Sequence, residues 1–82
     1  TATAMDSKLE ILNSLGADNC CTIGNGRNDL LMCRESALSI SVIGEEGCYS
    51  KLITQTNITV KNIEDGFELL LKPKRLIATL RG

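Results

Sequence analysis

Apolar positions along the first part of the chain follow a helical period. Residues 8, 11, 12 and 15 are spaced i, i+3, i+4, i+7, which predicts a first helix with one buried stripe. Ser7 and Glu10 form a capping box at its start, and Gly16 is a typical helix end. Lys8 lies on the apolar stripe, so its ammonium group starts from the buried face. That position is unusual for a lysine and makes Lys8 a candidate for chemistry.

Farther along, short apolar runs predict strands separated by helical segments. Strands are expected at residues 20–23, 39–43 and 58–60. Helices are expected from an Asn28 or Asp29 cap to about residue 35, at 48–54, from an Asn62 cap to residue 71, and from Pro73 onward. Helices and strands alternate, and the segments between strands are long enough for right-handed crossovers. We therefore expect an α/β fold, a Rossmann-like parallel sheet covered by helices.

A polar loop, Gly24-Asn25-Gly26-Arg27-Asn28-Asp29, joins the first strand, which is expected to be buried, to the second helix. Free backbone N–H groups and the helix dipole favour anions at such a place, and ligands of parallel sheets bind beyond the carboxyl ends of the strands. A capped turn is one alternative, in which Asn28 or Asp29 only satisfies helix N–H groups. A dinucleotide-binding loop is another, since Glu45 lies about 20 residues on, but Asp29 stands where the third glycine is needed.

Length and composition limit the class of protein. At 82 residues the chain is expected to be a single domain or part of one. Its four cysteines include no C-x-x-C pair and it has no histidine, so reduced thiols are favoured over a zinc site, and a cytoplasmic location over a secreted one. No apolar run approaches the roughly 20 residues of a membrane span, and we expect no membrane partner.

The basic residues of the carboxyl end need a separate interpretation. Residues 72–82 contain Lys72, Lys74, Arg75 and Arg81 and no acid. These cations flank an apolar stripe of Leu76, Ile77 and Leu80. The pattern favours a docked helix over a contact with nucleic acid, because four cations without aromatic residues are few for that purpose.

The loop, together with Lys8, resembles the third and fourth motifs of the haloacid dehalogenase superfamily. In that superfamily a lysine precedes a G-D-G-x-N-D loop by one helix and one strand. Three later segments, at residues 37–42, 46–47 and 69–81, are similar to the soluble relatives of P-type ATPases. The resemblance covers nearly all of the chain from Lys8 onward and implies the carboxy-terminal half of a haloacid dehalogenase-like fold.

The resemblance also implies roles for individual residues. Lys8 would be the catalytic lysine that neutralises the nucleophile and the transferring phosphoryl group. Asp29 would hold Mg²⁺, with the Asn25 carbonyl oxygen as a weaker ligand where the family has an acid. Gly24, Asn25, Gly26 and Asn28 would form the phosphate loop, and Asn28 would orient Lys8 or Asp29.

The nucleophile that this family uses is missing. It is the first aspartate of a D-x-D-x-T type motif, and none of Asp6, Asp18, Asp29 and Asp65 begins one. We therefore expect a fragment whose strand at 20–23 has an open edge, covered by a missing amino-terminal half or by a second copy in a dimer. The complete protein would hydrolyse a small phosphate ester through an aspartyl-phosphate, and the isolated chain would be inactive. The alternative is a non-catalytic regulatory or assembly module of the same fold.

Overall fold

The structure is a computed structural model that describes residues 4–81, except for the side chain of Arg81. Three parallel strands form one sheet in the order β1-β2-β3: β1 Cys21–Gly24, β2 Leu38–Val42 and β3 Ile58–Val60. The helices are α1 Ala4–Leu15, α2 Leu30–Glu35, α3 Ser50–Gln55, α4 Ile63–Leu71 and α5 Pro73–Arg81, and 3-10 turns occupy Ala17–Asn19 and Arg27–Asp29. The expected α/β architecture, a parallel sheet with helices, is confirmed, and the three-stranded sheet is compatible with a Rossmann-like fold.

The two faces of the sheet differ in chemistry. The register pairs Ile23 with Ile40 and Ile40 with Ile58, so branched apolar side chains share one face. Helix α4 packs there through Gly66, where an added Cβ would lie 3.7 Å from both Ile40 and Val60. Since Gly66 has no side chain, the helix comes close to the sheet.

Hydroxyl side chains line the other face. The members in register are Thr22, Ser39, Ser41 and Thr59. Their oxygens have partners: Thr22 pairs with Ser36 at 2.7 Å, Ser41 pairs with Thr59 at 2.7 Å, and Ser39 donates to the side-chain oxygen of Asn57 at 3.3 Å. Each buried hydroxyl therefore has a partner, and burying this polar layer does not leave unsatisfied groups.

The core is small. Ile40 and Leu52 are completely buried, and Cys33 of α2 is 1% exposed. Burial raises the pKa of the Cys33 thiol; the hydrogen bond from Thr22 opposes this, and the nearby negative charge of Asp29 adds to it.

The raised pKa of Cys33 predicts a loss of stability in alkali. The folded state keeps the thiol proton to higher pH than the unfolded state, so the free energy of unfolding should fall as pH rises above the ordinary thiol pKa of about 8.5. Urea unfolding of the native chain and of Cys33→Ala at neutral and alkaline pH measures this. The variant is expected to lose less stability between the two conditions, and an identical loss in both proteins would contradict the prediction.

Two expectations for α1 are wrong. The helix already includes Ala4, so Ser7 and Glu10 lie inside it and do not form a capping box. On the expected apolar stripe only Leu12 is buried, whereas Ile11 is 60% and Leu15 is 69% exposed. The stripe faces the open side of β1, where no strand lies within residues 4–81 to cover it.

The strand at 20–23 is β1, shifted by one residue, and it is an edge strand. Cys21 is exposed and Ile23 is half-buried, so the expectation of a fully buried strand is wrong for these residues. Strand β1 bonds to β2 on one side only within the described chain. The expected open edge at this strand is present among residues 4–81.

The carboxyl end of the chain follows the expected helices closely. The Asn62 side chain caps α4 by accepting the Asp65 N–H at 2.9 Å, and α5 begins at Pro73. The docked-helix interpretation holds only in part, because Leu76 is half-buried while Ile77 is 54% and Leu80 is 48% exposed. Among the helices of residues 4–81, none has the length and apolar character needed to cross a membrane.

Candidate active site

The carboxylate of Asp29 is held by the loop that follows β1. Its Oδ2 atom accepts the backbone N–H groups of Asn25 at 3.1 Å and of Gly26 at 3.2 Å. The loop turns through Gly24 and Gly26 into the 3-10 turn at Arg27–Asp29, which brings the aspartate back beneath the loop. Asp29 is only 6% exposed, so its charge is desolvated and depends on these donors.

Gly24 makes this geometry possible. A Cβ built at Gly24 would lie 2.5 Å from the Cβ of Asp29 and 2.7 Å from its Oδ2 atom. These separations are well below van der Waals contact. The absence of a side chain at the end of β1 is therefore what allows the aspartate to pack against the strand.

Lys8 supplies the third donor to Asp29. Its Nζ atom lies 2.6 Å from Asp29 Oδ1, across 21 residues of sequence, because α1 packs against the 3-10 turn and α2. The Lys8 side chain is 40% exposed, whereas that of Asp29 is 9% exposed. An ammonium group has three N–H donors, and one is used here. The lysine can therefore contact a ligand without leaving the aspartate.

A pocket of about 360 Å³ opens beside the ion pair. Its lining combines the two charged groups with apolar side chains from α4 and the sheet: Lys8, Ile23, Gly24, Asn25, Asp29, Val42 and Ile63. The pocket is beyond the carboxyl ends of β1 and β2, where ligands of parallel sheets bind. A group of phosphate size would meet a cation on one side and apolar walls on the other.

Of the other loop residues in the predicted site, Gly26 and Asn25 lie at the ion pair or its pocket, whereas Asn28 lies elsewhere. Gly26 binds Asp29 through its N–H, and Asn25 lines the pocket with its side chain exposed. The backbone carbonyl of Asn25 accepts the Tyr49 N–H at 2.9 Å, and this hydrogen bond holds the loop against the start of α3. Asn28 is exposed and lines a separate depression with Arg27 and Met5.

Three expectations for the loop need correction. Asp29 precedes α2 but does not cap it through its side chain, because both carboxylate oxygens are directed to the loop and to Lys8. Asn28 does not orient the ion pair: within residues 4–81 it forms no hydrogen bond with Lys8 or Asp29. The amides of Asn25 and Gly26, expected to face an anion, donate to Asp29 instead.

The donor set does not suit Mg²⁺ when this chain is taken alone. Asp29 is the one carboxylate lining the pocket, and its oxygens already accept three donors. Mg²⁺ in phosphate sites needs one or two carboxylates together with the phosphate, in near-octahedral geometry. No group of three His, Cys, Asp or Glu side chains within the described part of the chain is placed to hold a metal.

Three pocket residues were absent from the sequence-based site: Ile23, Val42 and Ile63. Ile23 and Val42 were expected in strands and Ile63 near a helix start, and none of them carries reactive chemistry. The topology could have indicated Val42, since the carboxyl ends of neighbouring parallel strands share one edge of the sheet. Ile63 begins α4, the helix that follows β3, and no local sequence pattern fixes where that helix packs on the sheet.

Comparison with known proteins gives one informative relative. The uncharacterized protein MJ0073 of Methanocaldococcus jannaschii is 46% identical to this chain over 79 residues, which is 92% of this chain and 85% of the relative. No protein-family model matches the chain. No solved structure matches it significantly. The chain, which places a lysine–aspartate pair beyond the end of a parallel strand, belongs to the same family as MJ0073.

Proposed function

We propose that this chain forms the lysine and loop half of a phosphate-ester hydrolase site of the haloacid dehalogenase type. The observation that carries the proposal is the 2.6 Å ion pair between Lys8 and Asp29 at the carboxyl end of β1. A lysine on an otherwise apolar helical stripe is hard to explain by packing alone, and here it reaches a buried carboxylate beside a pocket. The pair lies next to the open edge of β1, where a strand bearing the nucleophile would end.

Each residue of the pair has a distinct role in this proposal. Lys8 offers its remaining N–H donors to the phosphate oxygens, where negative charge builds up as the phosphoryl group is transferred. Asp29 fixes the ammonium at one position, so little reorganisation is needed during the reaction. Gly24 keeps the loop close to the aspartate. None of these groups attacks phosphorus, so the reaction needs a carboxylate from polypeptide outside residues 1–82.

The chemistry of the complete site follows from that division. An aspartate on a neighbouring strand attacks the phosphorus atom and an aspartyl-phosphate forms, while the expelled alkoxide takes a proton from water and leaves as the alcohol. A water molecule then attacks the phosphorus atom of the acyl phosphate, which releases inorganic phosphate and regenerates the carboxylate. The Lys8 cation offsets charge in both steps. The substrate is a small phosphate ester, Mg²⁺ would require ligands beyond those of this chain, and the setting is cytoplasmic.

A non-catalytic module of the same fold is the second candidate. It is favoured by the engagement of both Asp29 oxygens within the chain and by an amide, Asn25, where a second carboxylate would serve a metal. In that case the ion pair serves to fix the loop. The two candidates differ in one requirement, since only the enzyme needs a nucleophilic aspartate upstream.

Assays of the isolated chain and of the polypeptide from its complete gene separate these functions. The isolated 82-residue chain is expected to give no turnover of para-nitrophenyl phosphate with Mg²⁺ present, because it lacks the attacking carboxylate. The complete polypeptide is expected to carry a D-x-D-x-T type motif and to hydrolyse the ester. Turnover by the isolated chain that Asp29→Asn abolishes would contradict the division of roles. A complete gene product without the motif and without activity would leave the non-catalytic function.

A further inference from the structure

We infer that this chain pairs with a second copy of itself across the exposed edge of β1. The Cys20 carbonyl accepts the Leu38 N–H at 3.3 Å, which directs this residue toward β2. In a parallel ladder the next residue to bond to the same side is two positions on, at Thr22. The N–H and C=O groups of Cys21 and Ile23 therefore point away from β2, where no further strand lies within residues 4–81.

Apolar side chains flank this edge on both sides of the sheet. On the α1 side, Ile11 is 60% and Leu15 is 69% exposed, and with β1 they line a groove of about 290 Å³. On the α4 side, Ile63 is 47% exposed and lines the pocket that Ile23 also lines. Phe67, one helical turn further and 50% exposed, extends the same stripe. An unpaired strand edge between two apolar surfaces is typical of an interface.

The partner that fits is another copy of this chain. Unpaired backbone groups of an edge strand are self-complementary when two copies meet antiparallel across a two-fold axis, and each apolar flank then meets its counterpart. The Lys8 cation, which lines the same pocket as Ile23, is already neutralised by Asp29 and so does not repel a second copy. In a solution of the 82-residue chain, no other polypeptide is present to cover the edge.

This inference stands apart from the proposed function. It rests on the edge and its apolar flanks, and it concerns the 82-residue chain by itself, in which no nucleophile-bearing strand occupies the edge. The edge has room for one strand, so a second copy and a nucleophile-bearing strand exclude each other. Self-association of the isolated chain therefore reports on the edge alone, and phosphatase assays report on the site.

Sedimentation equilibrium of the 82-residue chain under reducing conditions tests the inference. The native chain is expected to be a dimer, and Cys21→Pro is expected to raise the dissociation constant roughly tenfold or more. Proline removes an N–H group that points to the open side, so the bonds to β2 stay intact. Cys20 has φ −113° and ψ 144°, which suits a residue that precedes proline. Cys21→Ser keeps the N–H group and is expected to remain dimeric.

Substitutions of exposed apolar residues locate the interface. Leu15→Glu should weaken the dimer, whereas Ile77→Glu, on α5 and 54% exposed, should not. The inference would be overturned by a monomeric native chain. It would also be overturned by a dimer that Ile77→Glu weakens but Cys21→Pro and Leu15→Glu do not. If Cys21→Pro does not fold, amide exchange of the native chain replaces it: protection of Cys21 and Ile23 should rise with protein concentration, and concentration-independent exchange would overturn the proposal.

Discussion

Replacing Lys8 with alanine in the polypeptide of the complete gene is expected to lower its phosphatase turnover by about 10²–10³-fold. The ammonium lies 2.6 Å from Asp29 and 40% of the lysine side chain remains exposed at the pocket, so the cation is fixed and still accessible to a phosphate. Removing it takes away the charge that this chain contributes to the transferring phosphoryl group. Initial rates with para-nitrophenyl phosphate measure the effect on kcat and on KM separately.

A control variant distinguishes the role of Lys8 from a general loss of positive charge. Lys74→Ala removes an exposed lysine of α5 and is expected to leave turnover unchanged. The folded state of both variants can be compared by circular dichroism. Equal turnover of Lys8→Ala and the native protein would remove the main support for a phosphoryl-transfer site at this pocket.

Gly24→Ala is expected to destabilise the isolated chain by about 1–3 kcal/mol, because the added methyl group overpacks the end of β1. The new Cβ would lie 2.5 Å from the Cβ of Asp29, so the aspartate or the strand must move. Movement of Asp29 would lengthen its hydrogen bonds from the Asn25 and Gly26 N–H groups and its contact with Lys8. Urea unfolding gives the change in the free energy of unfolding.

Gly26→Ala is the matched control in the same loop. Gly26 has φ −118°, which any residue adopts, and a Cβ there would lie 4.0 Å from Asp29 Oδ2, its nearest contact apart from the adjacent residues. We expect this variant to be as stable as the native chain or slightly more stable, since alanine reduces the freedom of the unfolded state. If both variants lose the same stability, the close approach of Gly24 to Asp29 is not what limits substitution in this loop.

Local patterns were sufficient for much of the fold. The strand at residues 58–60, the Asn62 cap of α4 and the start of α5 at Pro73 all appear where the sequence predicts them. These features depend on nearest neighbours: β-branched residues in a short run, a side-chain oxygen that accepts an N–H three residues on, and a fixed φ angle at a helix start. The positions of these elements therefore depend little on the rest of the molecule.

The burial of α1 was not predictable in the same way. A stripe at positions 8, 11, 12 and 15 indicates an amphipathic helix, yet it does not say whether anything lies against the stripe. In the structure Leu12 is covered by neighbouring elements, while Ile11 and Leu15 face the open side of β1. Burial is a property of the assembled surfaces, so periodicity alone overestimates it at an incomplete edge.

The sequence by itself determined the parallel α/β order and indicated a lysine on the first helix and an aspartate after the first strand as candidate site residues. Only the tertiary structure decided how these groups are used. It turned Asp29 away from the helix it precedes and toward two loop N–H groups and Lys8, and it left Asn28 outside the pair. The physical reason is competition for donors: a buried carboxylate takes the strongest set within reach, and that set comes from residues far apart in the chain.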